Sequence, residues 1–380
     1  MRKDPFLYLL AFAMDACAGL VGLCVPLVAM GIGADYDDLG AIGASGSVAY
    51  SLGCLLSGRL ADRLGYRRLM TLASLGQVLV FCSYLLVDRV WHLFVISVVS
   101  GAAISGFWPS LQAWLGQGHD RRGLLLAIGR FNVAWSLGFL VGPALGGYLY
   151  AANPNYVFGA AAVSVTLILL GLLALPVRPG VAASGSRESA SLAAARRFLP
   201  VAWVANFATF FASGTVRALF PKHASDLGIE PESLGWLVSL IGLAQAVAFL
   251  LVSRTDRWQF RLAPLVCVQL LAAAGLWALA LGRSPLVFAV GLVLQGGLVA
   301  VTFTASIFYS LHADGPGGRR TGLHEAIVGS GFLAGPLVGG LVAEHVGPGA
   351  PYLAASAVVL AAIAAQAYVV RRVAARDLAA

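Results

Sequence analysis

The sequence predicts an all-α polytopic membrane protein, and three observations predict it: the shortage of charge, the length of the apolar runs and the placement of the basic residues. Only 11% of the 380 residues are charged and 59% are hydrophobic. A soluble domain has about 25% charged residues because water covers its whole surface. A water-exposed chain with so much apolar surface would aggregate. The solvent of this chain is therefore largely lipid.

The apolar runs are long enough to cross a bilayer as helices. A spanning helix needs about 20 mostly apolar residues, whereas the strands of a membrane barrel alternate over about 10 residues. The runs in this chain are continuously apolar, which excludes a barrel. We predict twelve spanning helices near residues 6–30, 37–57, 69–87, 91–115, 124–150, 156–177, 198–221, 230–252, 262–281, 286–311, 322–345 and 349–370.

The basic residues lie in alternate gaps between these helices. One set of gaps holds most of the 25 lysines and arginines, and the opposite set holds only Arg89, Lys222 and Arg283. Cytoplasmic loops carry the excess of basic residues, so both chain termini are predicted to be cytoplasmic. The net charge of +8 is then a topology signal, and we exclude nucleic acid as a partner.

An internal repeat divides the helices into two sets of six. Residues 138–147 are GFLVGPALGG and residues 331–340 are GFLAGPLVGG, and at nearly the same spacing Asp62 matches Asp256. Two six-helix units with both termini on one side are parallel repeats, and their binding site lies between them near the bilayer midplane.

A polar stretch between the repeats predicts the domain boundaries. Residues 178–197 are rich in glycine, serine and arginine, a composition typical of a flexible linker. We predict a first six-helix bundle at 1–177, a cytoplasmic linker at 178–197 and a second bundle at 198–380.

The segment after the second helix carries the most specific motif. Residues 58–69 are GRLADRLGYRRL, which resembles the loop signature of the major facilitator superfamily, G-x-L-a-D-r-x-G-r-r-x-x-l, except that Tyr66 stands where a basic residue is common. Gly58 permits close helix approach and Gly65 a tight turn, and the arginines hold the loop at an anionic leaflet. The resemblance implies that family's fold, with twelve helices in two pseudo-symmetric bundles.

The same resemblance implies a cytoplasmic latch that joins the two halves when the protein faces outward. The central residue is Asp62, and the positive N-terminal end of the helix starting near Thr321 is one partner. The alternative is a topology determinant with a solvated ion pair. The second-half copy, residues 253–257, lacks the glycines and predicts a weaker latch. The latch residues are Gly58, Asp62, Arg63, Gly65, Arg67, Arg68 and Asp120.

The glycine-proline segment resembles the fifth-helix signature of antiporters in this family. Proline removes a backbone hydrogen bond and bends a helix, and glycine lets a neighbouring helix approach closely. The resemblance implies an interface between halves and export by antiport. Ordinary small-residue packing is the alternative, since the eleventh helix has the same pattern. The residues concerned are Gly138, Gly142, Pro143, Gly146, Gly147, Gly335 and Pro336.

Ionisable residues inside the membrane are costly and are functional candidates by default. Asp15, in the first helix, is a candidate proton carrier or cation-binding group, against a hydrogen-bonded packing role. Arg217 is a candidate for holding an anionic group or pairing with an acid. Glu325 and Arg130 lie at similar depths near the cytoplasmic mouth and are a candidate gate pair, unless each extends separately into water. His324 is a candidate substrate or proton residue, although a structural role is common for a lone histidine.

Three further residues are candidates for lining the cavity, namely Trp108, Trp135 and Gln295. The arginine usual in the family's fourth helix is missing, because residues 101–114 contain no basic residue. This departure weakens a direct transfer of the family's proton-coupling scheme.

The sequence contains no motif for a nucleotide, a metal or a covalent intermediate. We therefore expect no enzyme activity, no cofactor and no metal. The expected function is proton-coupled export of a small amphiphilic compound by a monomer in a bacterial-type inner membrane. The alternatives are uptake or facilitated passage of a sugar or organic anion, and a transport-inactive sensor or partner-binding protein.

Overall fold

The computed structural model describes residues 3–119, 121–174, 189–312 and 317–379, with the side chains of Gly58, Asp62 and some residues near the gaps and termini outside the description. Within these residues there are twelve helical spans long and apolar enough to cross a membrane, which confirms the predicted fold class. The helices are α1 Lys3–Gly31, α2 Tyr36–Leu64, α3 Tyr66–Ser83, α4 Val90–Ile104, α5 Trp108–Gly116, α6 Arg121–Ala152, α7 Pro154–Ala174, α8 Ser189–Asp226, α9 Pro231–Ser253, α10 Ala263–Leu281, α11 Pro285–His312, α12 Gly317–Val346 and α13 Ala350–Ala379.

We refer to α1–α7 as the first half and to α8–α13 as the second half. The face on which α1 begins and α13 ends is called the terminal face, and the opposite one the distal face. Helix α8 begins at Ser189, inside the predicted linker at 178–197, which stays a prediction. Residues 178–188 of the linker lie outside the described part of the chain.

The fourth span is broken, which the sequence did not predict. Helix α4 ends at Ile104, and α5 begins at Trp108 with proline in its first turn. Pro109 has no N–H to donate, so it leaves the carbonyl of Ser105 without a helical partner. The Ser57 hydroxyl of α2 donates to this carbonyl at 2.7 Å. This hydrogen bond links α2 to the break in the middle of the fourth span.

The two halves meet along two pairs of helices. In the first pair α2 packs against α12, and in the second α6 packs against α9. Within each half, α6 packs on α1 and α12 packs on α8 in the same way. Each glycine-proline helix therefore has one face toward its own half and one toward the other half.

The glycines explain how one helix serves two interfaces. A methyl group on Gly146 would come 3.1 Å from the carbonyl oxygen of Leu20 on α1, and one on Gly147 would come 2.5 Å from that of Pro231 on α9. In α12, a methyl on Gly340 would come 2.7 Å from the carbonyl of Tyr36 on α2. The contacts of Gly147 and Gly340 leave no room for a side chain, and that of Gly146 is tight.

Candidate functional site

A cavity of about 420 Å³ lies in the interior of the helix bundle. Helices of both halves line it, and the lining is mostly apolar, with nine aromatic residues. The polar exceptions include three ionisable residues, Asp15, Arg217 and Glu325. The aromatic lining consists of Tyr50, Phe81, Tyr84, Trp108, Phe131, Trp135, Phe210, Phe303 and Phe332.

Glu325 joins the two halves at this cavity. It lies on α12 and is buried, with 4% of its surface exposed. The hydroxyl of Tyr50 on α2 donates to its Oε2 at 2.5 Å, and the Gln112 amide on α5 donates to its Oε1. Both donors belong to the first half. A carboxylate accepts both bonds, whereas a protonated carboxyl has to turn one oxygen into a donor.

His324 lies behind Glu325, away from the cavity. Its Nδ1 is 2.8 Å from the Ser306 hydroxyl on α11, and its ring packs edge-on against Phe303. Its Nε2 is 3.8 Å from Glu325 Oε1, which is too long for a hydrogen bond. The histidine thus supports the helix that carries the carboxyl group and does not line the cavity.

Asp15 and Arg217 face the cavity from opposite halves. Asp15, on α1, is 7% exposed, and its Oδ2 atom has no hydrogen-bond partner among the described residues. Arg217, on α8, lies 4.0 Å from the centre of the Phe139 ring and 5.4 Å from that of Phe332. Aromatic faces attract a guanidinium. Arg217 is the charged group that acts on Asp15, but no ion pair joins them in the described structure.

The two predicted tryptophans line the cavity. Trp135 donates its indole N–H to Asn132 at 3.2 Å, and the Asn132 amide donates to Thr304 of α11 at 3.3 Å. Trp135 also packs edge-on against Phe303 of the second half. Its orientation is therefore fixed by a chain of contacts that crosses between α6 and α11.

Two further candidates, the predicted gate residue Arg130 and the predicted cavity residue Gln295, do not line the cavity. Arg130 is exposed and lines a separate groove near α9, where its charge acts on Tyr8. The predicted pair of Glu325 with Arg130 is therefore not formed, and Tyr50 and Gln112 take the place of the arginine. Gln295 is buried inside the second half, where its amide donates to the Ala272 carbonyl of α10 at 3.0 Å. The sequence does not show where either side chain lies, because these helices are apolar on every face.

The position of Gln295 leads to a prediction about stability. Replacing Gln295 by alanine removes the bond between α10 and α11, while the Ala272 carbonyl keeps its helical bond within α10. We therefore expect a loss of about 0.5–1.5 kcal/mol in the free energy of unfolding. We also expect unchanged substrate affinity. Thermal unfolding in detergent and a transport KM measure the two effects. A raised KM with unchanged stability would return Gln295 to the binding site.

The described part of the predicted latch gives a mixed result. Gly65 has a φ of 88°, as a tight turn between α2 and α3 requires. Arg67 does not reach the other half, because its guanidinium donates to the carbonyls of Leu172 and Leu173 at the end of α7, at 2.7 and 2.8 Å. Arg63 and Arg68 are exposed. The side chain of Asp62 and the whole of Asp120 lie outside the described residues, so the latch stays a prediction.

Tyr50 is the main cavity residue that the sequence reasoning missed. It follows Gly43, Gly46 and Ser47 on one face of α2, and all four line the cavity. The signal in the sequence was a row of small residues at helical spacing that ends in a tyrosine. Tyrosine at a helix–helix contact is common enough that the pattern alone did not separate it from packing.

The chain is similar to known proteins over nearly its whole length. The model of the Major Facilitator Superfamily matches residues 7–203 and again residues 202–379. The multidrug resistance protein MdtG of Dickeya zeae (strain Ech586) is 26% identical over 318 residues, which cover 80% of this chain and 77% of the relative. MdtG of Serratia proteamaculans (strain 568) is 24% identical over 320 residues, covering 80% and 76% of the two chains.

Two solved structures have the same fold. The human organic anion transporter MFSD10 (TETRAN) superposes with a TM-score of 0.71 and 21% identity, covering 96% of this chain and 99% of that chain. The nucleoside transporter NupG, in a mutant form, superposes with a TM-score of 0.68 and 13% identity, covering 97% and 100%. The twelve spans, the cavity between the halves and the family match lead to one conclusion: this multi-pass membrane protein belongs to the major facilitator superfamily and is a transporter of small molecules, not an enzyme.

Proposed function

We propose that this chain is a secondary active transporter that works by alternating access and exports small amphiphilic compounds in exchange for protons. It acts as a monomer in the inner membrane of a cell, with both termini in the cytoplasm, as the positive-inside rule predicts. The observation that carries the proposal is the aromatic cavity between the halves, which contains two buried carboxyl groups.

The aromatic lining favours an amphiphilic substrate. Rings such as Trp108, Phe210 and Phe332 offer large apolar surfaces without fixed directional bonds, and a pocket of this kind binds apolar bodies of varied shape. The free oxygen of Asp15 supplies one site for a positive group. The relatives named multidrug resistance proteins are consistent with this substrate class.

Glu325 is the proposed coupling group. As a carboxylate it accepts the bonds from Tyr50 and Gln112 that hold α12 against the first half. Adding a proton removes the charge that strengthens these bonds and turns one acceptor into a donor. Protonation therefore weakens a contact between the halves, which is the change that alternating access needs. Asp62 is proposed to act separately, as the latch on the terminal face.

Asp15 provides the first test. Asparagine in its place removes the negative charge while keeping the shape, and we expect the KM for ethidium, a fluorescent amphiphilic cation, to rise roughly tenfold because a charge-assisted contact is lost. The assay is accumulation of ethidium by proteoliposomes with an acidic lumen. Asp88→Asn, on the exposed α3–α4 loop, is the matched control.

Three outcomes would contradict parts of the proposal. Accumulation unchanged in Asp15→Asn would remove Asp15 from the binding site. Accumulation by the unmodified protein that does not depend on the pH gradient would contradict proton coupling. Absence of transport for every compound in a broad panel would favour the transport-inactive alternative.

Arg217 supports a second candidate function, the passage of organic anions. Its guanidinium faces the cavity between Phe139 and Phe332, where a carboxylate with an aromatic body would fit. Under this alternative, Arg217→Gln abolishes uptake of an aromatic carboxylate such as benzoate and leaves ethidium transport intact. Under the leading proposal, benzoate is not transported by the unmodified protein.

A further inference from the structure

A second groove lies between α6 and α9, outside the central cavity. Its volume is about 1460 Å³. One wall comes from α6 of the first half and the other from the end of α9 and the following loop in the second half. The groove crosses the boundary between the halves near the terminal face, where Gly129 of α6 faces Ser253 of α9.

The end of the groove at the terminal face is basic. Arg130, Arg254 and Arg257 line it, with Asp256 as the one acidic residue among the lining side chains. All four are exposed, and within the described residues none of the three arginines takes part in an ion pair. Arg130 interacts with the neutral Tyr8 hydroxyl. Three arginines and one aspartate give the described lining side chains a net charge of two positive units.

The rest of the groove is apolar and faces outward. Leu137 and Leu250 line it and are 39% and 42% exposed. Both belong to membrane spans, so their exposed surface faces lipid. The span that contains Arg130 begins at Gly123, which places Arg130 about 10 Å inside it at the helical rise of 1.5 Å per residue.

This order of groups matches a phospholipid. A lipid phosphate lies at the edge of the hydrocarbon layer, and its acyl chains run along the apolar wall below it. Basic pockets between spanning helices at the cytoplasmic side are suited to anionic head groups. A soluble phosphate would use the arginines but leave the leucine wall uncovered.

We infer that this groove binds an anionic phospholipid of the leaflet at the terminal face. Its head group is held by Arg254 and Arg257 of the second half together with Arg130 of the first half, and an acyl chain covers the leucine wall. The bound lipid bridges the two halves and favours the conformation in which α6 and α9 touch at this end. The site is separate from the substrate cavity and does not depend on the proposed substrate or coupling ion.

The test compares lipid binding to two matched double variants. Arg254→Gln/Arg257→Gln removes two charges from the groove, and Arg371→Gln/Arg372→Gln removes two exposed charges from the end of α13 on the same face. Native mass spectrometry of the whole protein in detergent counts bound phosphatidylglycerol against phosphatidylcholine. We expect the preference for phosphatidylglycerol to fall roughly tenfold in the groove variant and to stay unchanged in the control. Arg130→Gln alone should lower it as well.

A thermal-shift measurement distinguishes binding of a lipid from binding of a free anion. Phosphatidylglycerol should raise the Tm of the unmodified protein, and inorganic phosphate at the same concentration should not. Equal stabilisation by inorganic phosphate would overturn the lipid assignment. Equal loss of preference in the α13 control would show general surface attraction instead of a site, and no preference in the unmodified protein would also contradict the inference. None of these readouts measures transport, so failure here leaves the proposed function untouched.

Discussion

Replacing Glu325 by glutamine is expected to abolish accumulation driven by a proton gradient while leaving substrate exchange intact. The glutamine side chain cannot carry a proton, and it has one acceptor oxygen where the carboxylate has two. Tyr50 and Gln112 donate to different oxygens of Glu325, and in glutamine one of these positions is an NH₂ donor, so both bonds cannot form in the same geometry. Exchange of labelled for unlabelled ethidium requires no net proton movement and should therefore continue.

The measurement is made in one set of proteoliposomes, with gradient-driven accumulation and counterflow recorded side by side. Glu344→Gln, an exposed position on the same helix, is the matched control and should behave as the unmodified protein. Tyr50→Phe keeps the carboxyl group and removes one bond, so it should retain coupling while shifting the ratio of the two conformations roughly tenfold. Full gradient-driven accumulation in Glu325→Gln would place proton coupling elsewhere.

The second large effect is expected at Gly340. A methyl group there would come 2.7 Å from the Tyr36 carbonyl and 2.9 Å from the Gly40 Cα atom. Both contacts are with backbone, which cannot rotate away, and overpacking of this kind costs about 1–3 kcal/mol. The cost applies only when α2 and α12 touch at the distal face. Gly340→Ala should therefore favour the conformation that is open at the distal face and slow transport.

Distances between two spin labels at the distal face would measure this shift, for example with labels at Arg89, before α4, and at Val346, the end of α12. The labels require a chain whose five cysteines have been replaced. The label distance should lengthen in Gly340→Ala. In the pseudo-equivalent Gly147→Ala it should lengthen too, because that methyl would meet the Pro231 carbonyl at 2.5 Å. Gly159→Ala is the control, since a methyl there meets no atom within 4 Å. A lengthened distance in the control, or none at Gly340, would contradict the contact as a determinant of opening.

The sequence predicted the fold well and the site only in part. The spans could be predicted because a bilayer requires long apolar runs, and the length of such a run can be counted in the sequence. The exception is the break before Trp108. Its cause, Pro109, can be recognised in the sequence, but the Ser57 hydroxyl that bonds to the freed Ser105 carbonyl cannot. Asp15 and Glu325 were found because an ionisable group inside a membrane is rare whatever its partners.

Orientation around each helix could not be predicted. In a soluble helix the polar face points to water, but a spanning helix is apolar toward lipid and toward its neighbours alike. Gln295 and Gln112 therefore look similar in the sequence, although one ties α10 to α11 and the other binds Glu325 in the cavity. Only the packing of the helices separates them.

The contact between α2 and α12 has a consequence for biosynthesis. Tyr50 and Glu325 are 275 residues apart, and a ribosome adds about 5–20 residues per second, so α2 waits roughly 15–55 s for the helix that covers it. During this interval the Tyr50 hydroxyl and the glycine face of α2 lie in the membrane without their final neighbour. The first six spans thus reach their final packing only when the eleventh has been inserted, and a chain that ends after α7 keeps this face uncovered.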